Sequence, residues 1–206
     1  FVSARNKSRR THQMTGQPTL DVYVATKKAG GYGSPVLLKG DVNTKFNEGN
    51  IVITKDNQTA YFTRNDYTNN KFRKDENGIG QLKVYRARNV NGSWTDVDEL
   101  PFNSSEYSTG NIALSPDENW LYFASDRPGG YGGSDLYRVK INSNGSFGEP
   151  ENLGAEINTP GRESFPYIDA NGVLYFSSDG HMGMGGLDVF KATPRGNSFG
   201  NVEKMG

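Results

Sequence analysis

Short apolar runs separated by Gly- and Asn-rich polar turns recur four times along the chain. Each copy opens with an aromatic run, and these runs are FVSARN from Phe1, AYFTRND from Ala60, LYFASD from Leu121 and LYFSSD from Leu174. By subtraction, the marker residues Phe1, Phe62, Phe123 and Phe176 are 61, 61 and 53 residues apart. This spacing is too long for helical-pair or leucine-rich repeats and somewhat above the roughly 40 to 50 residues of known propeller blades.

Each copy also contains further short strands. A turn leads from the aromatic run to a second run, and the clearest examples are LDVYVAT from Leu20, LKVYRAR from Leu82 and DLYRV from Asp135. Another strand precedes the aromatic run in three copies, and a weaker one ends all four. Four strands per unit without helical periodicity predict an all-β chain built as a β-propeller of four-stranded antiparallel blades.

The predicted blades cover residues 1–39 in part, then 50–100, 111–153 and 164–206, as one propeller domain or fragment. The first copy lacks its first strand, because the chain opens directly on FVSAR. Propellers of 4 to 8 blades protect their sheet edges by closing into a ring. We therefore expect about four blades here, within a longer protein whose ring has six.

Aspartates and glycines recur at the same places in the copies. Asp21, Asp135 and Asp188 open the third strand, where a carboxylate can cap the backbone N–H groups of the preceding turn. Asp126 and Asp179 follow the second strand, and we expect them to bond across the glycine loop that comes next. Repetition in several blades favours a structural role in the turns, because an active site is needed only once.

The glycine loops PGGYGGSD from Pro128 and HMGMGGLD from His181 are the candidate binding surface. Each joins two strands, so there is no helix N-terminus to bind a phosphate, and the glycines serve tight turns. Loops on a rigid scaffold commonly provide recognition surfaces. The side chains of the types that favour contacts there are Arg127, Tyr131, His181 and Met182.

Candidate catalytic and metal-binding residues are scarce. The two histidines, His12 and His181, lie in different copies, so neither a His pair at ligand spacing nor a Ser-His-Asp relay is indicated. DENGIG from Asp75 offers oxygen ligands for calcium but lacks the rest of an EF-hand loop, which favours a solvated turn. We therefore predict no catalytic residues, no metal, no cofactor and no enzymatic activity.

Composition and charge add limits on the partners. Gly contributes 26 of 206 residues, well above the usual share of about 7%, as many tight turns require. Lys plus Arg equals Asp plus Glu at 23 each, which argues against a nucleic-acid partner. The local basic cluster of Arg5, Lys7, Arg9 and Arg10 is interpreted as a solvated loop, with a phosphate or lipid site as the alternative. There is no cysteine, and no apolar stretch approaches the length of a transmembrane segment.

Two stretches resemble a known family. SPDENWLYFASDRPGGYGGSDLYRV from Ser115 and the linker GEPENLGAEINTPGRESFPYI from Gly148 resemble the TolB-like, WD-like propeller repeat of OmpA-family proteins of Bacteroidetes. The resemblance extends to PorE-like components of the type IX secretion system. It implies a periplasmic, outer-membrane-associated protein that binds other cell-envelope proteins. Peptidoglycan would be bound only through other domains.

The second copy departs from the pattern. Lys83 replaces the aspartate, and the loop from Asn65 to Gln81 is longer than in the other copies. Because partners often dock on an elaborated loop, Phe72, Arg73 and Lys74 form a second candidate binding site.

The preferred function is a non-catalytic scaffold for protein–protein interactions in an outer-membrane-associated complex, linking secretion machinery to peptidoglycan. The alternative is a glycan-binding or glycan-hydrolysing propeller, in which Trp94, Trp120 and Tyr131 could stack on sugar rings. A third interpretation is a TolB-like partner of an outer-membrane energy-transduction system.

Overall fold

The computed structural model describes residues 1–4, 18–68 and 71–206. All the regular secondary structure of these residues is β-strand, and the strands are numbered β1 to β19 along the chain. The described residues include no helix long and apolar enough to cross a membrane. The chain divides into two compact units, Phe1–Leu100 and Pro101–Gly206. We describe each unit by itself.

The first unit contains two antiparallel sheets and two small hairpins. Its first sheet has the order β1-β2-β5 and consists of β1 (Val2–Ser3), β2 (Asp21–Val24) and β5 (Val36–Leu37). The second has the order β11-β10-β7-β6 and consists of β6 (Glu48–Ile53), β7 (Thr59–Asn65), β10 (Leu82–Val90) and β11 (Ser93–Glu99). The hairpins pair β3 (Lys27–Lys28) with β4 (Gly31–Tyr32) and β8 (Tyr67–Thr68) with β9 (Lys71–Phe72).

The second unit contains two four-stranded antiparallel sheets in simple up-and-down order. The third sheet consists of β12 (Thr109–Leu114), β13 (Trp120–Ser125), β14 (Asp135–Lys140) and β15 (Glu151–Asn152). The fourth consists of β16 (Glu163–Ile168), β17 (Leu174–Ser178), β18 (Asp188–Arg195) and β19 (Ser198–Lys204). This strand order is that of propeller blades, so the predicted fold class is confirmed, whereas the six-bladed ring stays a prediction.

Side chains alternate between the two faces of the sheet along each strand, and residues on both faces are buried. In β13, Leu121 and Phe123 are fully buried on one face, and Tyr122 and Ala124 are buried on the other. The marker phenylalanine of each copy also contacts an aromatic ring of the neighbouring strand. The pairs are Phe1–Tyr23 at 6.0 Å, Phe62–Tyr85 at 5.8 Å, Phe123–Tyr137 at 5.8 Å and Phe176–Phe190 at 5.8 Å between ring centroids.

The opposed faces of neighbouring sheets form one apolar cluster in each unit. In the first unit the cluster contains Val22, Val42, Ala60, Phe62, Tyr85, Ala87 and Trp94. In the second unit it contains Ala113, Tyr122, Ala124, Leu136, Ile157, Ile168, Leu174, Phe176, Phe190, Ala192 and Phe199. Because an apolar face must be covered on each side, the sheets pack face to face within a unit.

The first strands of the third and fourth sheets contain a bulge at the same place. The register shifts between Gly110 and Ala113 and between Ser164 and Tyr167. Asn111 has a φ of 51° and Phe165 a φ of 53°, in the left-handed region. Asparagine tolerates this conformation, whereas for phenylalanine it is strained.

Candidate functional site

The glycine loop of the third sheet is folded around the carboxylate of Asp135. Oδ2 accepts a hydrogen bond from the backbone N–H of Tyr131 at 2.6 Å, and Oδ1 accepts one from Gly132 at 3.0 Å. Asn152 donates to Oδ2 from the neighbouring strand at 2.7 Å. A Cβ on Gly130 would collide with this carboxylate, so the loop requires glycine there.

The loop of the fourth sheet repeats this arrangement in a more open form. The Oδ2 atom of Asp188 accepts from the backbone N–H of Met184 at 2.7 Å, and Lys204 lies 3.4 Å from Oδ1. A Cβ on Gly183 would again collide with the carboxylate. The two aspartates therefore fix the base of each loop, while the side chains near its tip stay accessible.

Asp126 and Asp179 have different partners from those expected. Within the part of the chain that the structure describes, neither carboxylate is bonded to the glycine loop that follows it; Asp126 accepts from the backbone N–H of Ser108 at 2.7 Å and Asp179 from that of Arg162 at 2.6 Å. Both donors lie in the linker just before the first strand of the same sheet. The prediction of their partners was wrong because the linker, though distant in sequence, runs alongside the end of the second strand.

The linkers also contain an asparagine that acts as an extra strand partner. The side chain of Asn158 accepts from Leu136 N at 2.7 Å and donates to Leu136 O at 3.0 Å. Asn43 makes the same pair of bonds with Val22 in the first unit, at 2.7 and 3.0 Å. In each case the amide satisfies both backbone groups of the residue that follows the turn aspartate.

A buried glutamate begins the first strand of the second and fourth sheets. The carboxylate of Glu163 accepts three hydrogen bonds, from Thr159 N at 2.9 Å, Thr159 Oγ1 at 2.7 Å and Ser178 Oγ at 2.6 Å. All three come from the linker or the adjacent strand. Both oxygens of Glu163 are therefore satisfied.

Glu48 occupies the corresponding position in the second sheet but has fewer partners. Its Oε1 accepts from Thr44 N at 3.0 Å and Thr44 Oγ1 at 2.7 Å, while Oε2 has no hydrogen-bond partner among the described residues. Burial is the main reason that the pKa of Glu48 is raised to about 8; the nearby Asp21 charge adds to the rise, while the bonds from Thr44 and the charge of Arg64 oppose it. Glu48 is thus protonated in the folded protein at neutral pH.

Asp21, at the start of β2, and Lys83, near the start of β10, occupy the position that Asp135 and Asp188 have in the other two sheets. Asp21 is buried, and its Oδ2 has no hydrogen-bond partner within the described part of the chain. Lys83 is buried between Asp66 at 3.0 Å and Glu99 at 2.7 Å. Burial lowers the pKa of Lys83, but its bonds to Glu99 and Asp66 outweigh this and leave the pKa above its ordinary value.

Two of the four candidate contact residues of the glycine loops are packed against the protein. The Arg127 guanidinium lies over the rings of Tyr107, Phe123 and Tyr137, with Cζ 5.2, 5.2 and 4.9 Å from their centroids. His181 Nε2 is 2.9 Å from the carbonyl oxygen of Ile157. The His181 ring also contacts the rings of Phe176 and Phe190, at centroid distances of 5.7 and 5.1 Å.

The other two candidates are exposed, as are two further apolar residues of the loop that contains Met182. Tyr131 is 52% exposed and Met182 is 95% exposed. Met184, which is 85% exposed, and Leu187, which is 52% exposed, lie in the candidate loop HMGMGGLD, but they were not singled out from the sequence as contact residues. We call Tyr131, Met182, Met184 and Leu187 the loop patch.

The candidates in the long loop of the second sheet are partly packed. The Phe72 ring stacks on Phe46, 4.4 Å between centroids, and Tyr67 pairs with Phe72 in the β8–β9 hairpin. Arg73 and Lys74 are exposed. The basic cluster formed by Arg5, Lys7, Arg9 and Arg10 lies outside the described residues, as does His12.

The aromatic platform of the glycan alternative is not formed by the tryptophans. Trp94 is buried in the apolar cluster of the first unit, and Trp120 is covered by Arg138, whose Cζ lies 4.2 Å from the ring centroid. Neither can present a free face to a sugar. Of the three aromatic residues considered for this role, only Tyr131 is exposed.

The DENGIG segment forms a turn that satisfies its own carboxylate. Asp75 Oδ1 accepts from the N–H groups of Asn77 at 2.9 Å and Ile79 at 2.8 Å, and Gln81 donates to Oδ2 at 2.7 Å. The bond from Ile79 leads the causes that hold the pKa of Asp75 below its ordinary value. Across residues 1–4, 18–68 and 71–206, no group of three His, Cys, Asp or Glu side chains is placed to bind a metal.

The sheets described above define a β-propeller fold, and solved structures share it. TolB from Acinetobacter baumannii aligns with 90% of this chain and 37% of its own chain, at 17% identity and a TM-score of 0.55. A puromycin hydrolase aligns with 82% of this chain and 25% of its own, at 16% identity and a TM-score of 0.52. The gluconolactonase XC5397 from Xanthomonas campestris aligns with 88% of this chain and 53% of its own, at 17% identity and a TM-score of 0.51.

These similarities concern the fold. The chain spans between a quarter and about half of the length of these three structures. No protein-family model and no curated protein matches the chain.

The comparisons contradict the expectation that this chain is not an enzyme. Two of the three solved structures above are enzymes, a puromycin hydrolase and a gluconolactonase. The expectation rested on the missing His relay and on the repetition of the aspartates. Because enzymes share this fold, neither argument excludes catalysis, and the expectation was wrong.

Proposed function

We propose that this protein is a periplasmic β-propeller module that binds partner proteins of the cell envelope through the loop patch. The exposed apolar side chains of Met182 and Met184 are the observation that supports this most directly. Exposed apolar side chains in loops whose bases are fixed by hydrogen bonds are typical of interaction sites. Methionine adapts its shape to a partner at little cost.

The resemblance of the repeat to TolB-like propellers of OmpA-family proteins supports the periplasmic, outer-membrane-associated location. The same resemblance supports a place in the type IX secretion and gliding machinery. Binding to peptidoglycan would then come from other domains of the longer protein. The similar fold of TolB is consistent with this class of protein.

The test is quantitative capture from cell-envelope extracts with the full chain as bait. Replacing both Met182 and Met184 with serine removes most of the apolar surface of the loop patch without touching Asp188. We expect captured envelope proteins to fall about tenfold, the loss that corresponds to about 1.4 kcal/mol of binding free energy. Met205→Ser is the matched control, because Met205 is also exposed but follows β19.

Equal capture by the double variant and the control would refute the loop patch as the binding surface. Recovery of peptidoglycan fragments alone would refute the protein-binding function. Recovery of envelope proteins without any component of the secretion machinery would leave binding intact and remove the type IX assignment.

A further inference from the structure

Arg127 is a half-buried cation without a carboxylate partner. Its Nε donates to Ser125 Oγ at 3.3 Å, and its Nη2 donates to the carbonyl oxygen of Phe102 at 3.0 Å. Both acceptors are neutral, and no ion pair among the described residues includes Arg127. Burial also lowers the pKa of Arg127 from its ordinary value. The positive charge is therefore stabilised by aromatic faces and two neutral hydrogen-bond acceptors, without a negative charge beside it.

Arg138, in the same sheet, is a guanidinium that does have a carboxylate partner. It also stacks on an aromatic ring, Trp120, but its charge is paired with Glu151 through two contacts of 2.9 Å. Arg127 has the ring contacts without the carboxylate. A buried charge without a partner is costly, which indicates that the anion is supplied from outside this chain.

A cavity of about 290 Å³ opens beside Arg127. It is lined by Pro101, Phe102, Asn103, Tyr107, Arg127, Phe147, Gly148, Glu149 and Pro150. The volume is at the lower limit for small-molecule sites and suits one or two amino-acid side chains. Phe102, Tyr107 and Phe147 supply aromatic surface, and Arg127 is the one cation of the lining.

The lining selects the charge of the ligand. A single guanidinium balances one negative charge, which matches a carboxylate, and Arg binds carboxylates well through its planar edge. A phosphate dianion would exceed that charge, and the exposed carboxylate of Glu149, another residue of the lining, would repel two negative charges more strongly than the single charge of a carboxylate. The neighbouring rings favour an apolar group next to the ligand's carboxylate.

We propose that the Arg127 cavity binds a carboxylate of a partner peptide that is flanked by an apolar or aromatic residue. This inference rests on the proposed function and specifies the chemistry of the partner. Arg127 and Tyr131 belong to the same loop, between β13 and β14. A partner bound there would place its carboxylate on Arg127 and its apolar residues on the aromatic lining.

The experiment is an NMR titration of the isotope-labelled full chain with short acetylated peptides. One peptide ends in phenylalanine with a free C-terminus, a second is the same peptide amidated, and a third is amidated but contains Glu beside Phe. Inorganic phosphate is titrated separately. We expect saturable shifts of the Phe102, Tyr107 and Arg127 amides with a carboxylate peptide, weakened by added salt.

Arg127→Met keeps the apolar stem and should weaken binding about tenfold or more. Arg138→Met is the control and should bind as the wild type does. Arg127→Lys retains the charge, so residual binding by this variant separates loss of the cation from loss of folding. The free C-terminal and Glu peptides distinguish a terminal carboxylate from a side-chain carboxylate.

Tighter binding of phosphate than of either carboxylate peptide would overturn the proposal. Equal binding by wild type and Arg127→Met would do the same, as would binding of the fully amidated peptide without Glu at the affinity of the other two. If the peptides do not bind but envelope capture still depends on Met182 and Met184, the proposal for the Arg127 cavity is refuted and the proposed function stands.

Discussion

Replacing Glu48 with glutamine should stabilise the protein at neutral and alkaline pH. The pKa of Glu48 is about 8 in the folded state and 4.5 at its ordinary value, so the folded protein keeps a proton that the unfolded chain loses. A group with a raised folded pKa of this kind makes the free energy of unfolding fall as pH rises from about 4.5 to about 8. Glutamine has no proton to lose, so the variant should lack this slope.

The magnitude follows from the two pKa values. A difference of 3.5 in pKa, between 8 and 4.5, corresponds to an upper bound of about 5 kcal/mol at 1.36 kcal/mol each. Relaxation around the buried group reduces this, and we expect about 2 to 3 kcal/mol of stabilisation at pH 8. The introduced glutamine would still accept both bonds from Thr44 through its carbonyl oxygen, and its NH₂ group would replace the protonated oxygen of Glu48.

Urea unfolding followed by tryptophan fluorescence between pH 5 and pH 9 measures this effect. Trp94 is in the cluster of the first unit, so a Trp120→Phe background restricts the signal to that unit. Glu163→Gln in a Trp94→Phe background is the control, because both oxygens of Glu163 already accept hydrogen bonds. Glu163→Gln should lower the free energy of unfolding by about 1 to 2 kcal/mol at every pH.

The reasoning fails if Glu48→Gln lowers stability at pH 8 by as much as Glu163→Gln does. It also fails if the variant retains the wild-type slope between pH 5 and pH 8. Either result would mean that Glu48 is ionised in the folded protein and has a partner for its second oxygen.

Three further substitutions test the linker, the buried ion pair and the bulge. Asn158→Ala leaves the Leu136 N–H without its partner, whereas the Leu136 carbonyl still accepts from Leu153 N at 3.0 Å, so the change should cost about 1 to 2 kcal/mol in urea unfolding; a loss below about 0.5 kcal/mol would contradict this. Lys83→Met leaves Asp66 buried beside an apolar group and should cost about 3 to 5 kcal/mol, much of it recovered by adding Asp66→Leu. If the double variant is no more stable than the single one, the pair is not the cause. Phe165→Asn should raise the free energy of unfolding by about 1 kcal/mol, because asparagine tolerates the positive φ of this exposed position better than phenylalanine; a lower free energy of unfolding would count against backbone strain.

The sequence repeat was sufficient to predict the strands and the class of fold. Copies such as LYFASD and LYFSSD align so closely that each strand position is defined several times, and errors in one copy are corrected by another. The two small hairpins, β3–β4 and β8–β9, were not predicted because each occurs in a single copy. Strand signals of two residues are too short to recognise alone.

The environment of individual side chains could not be predicted in the same way. Arg127 and His181 have residue types typical of contact surfaces, yet both are packed on aromatic rings whose positions depend on tertiary structure. Glu48 and Glu163 occupy equivalent positions, but Arg64 takes the place that Ser178 has in the fourth sheet. With Arg64 in place of a serine, Glu48 lacks the hydrogen bond that Ser178 donates to Glu163, and its Oε2 has no partner among the described residues.

The side chains of Asn43 and Asn158 each close a loop of about twenty residues, with sequence separations of 21 and 22. Closing a loop of this length costs less entropy than bringing together strands from distant parts of the chain. Contacts that are local in sequence also form early in folding. Each third strand can therefore capture the beginning of the next sheet before that sheet is complete, and we expect the sheets of a unit to assemble in chain order.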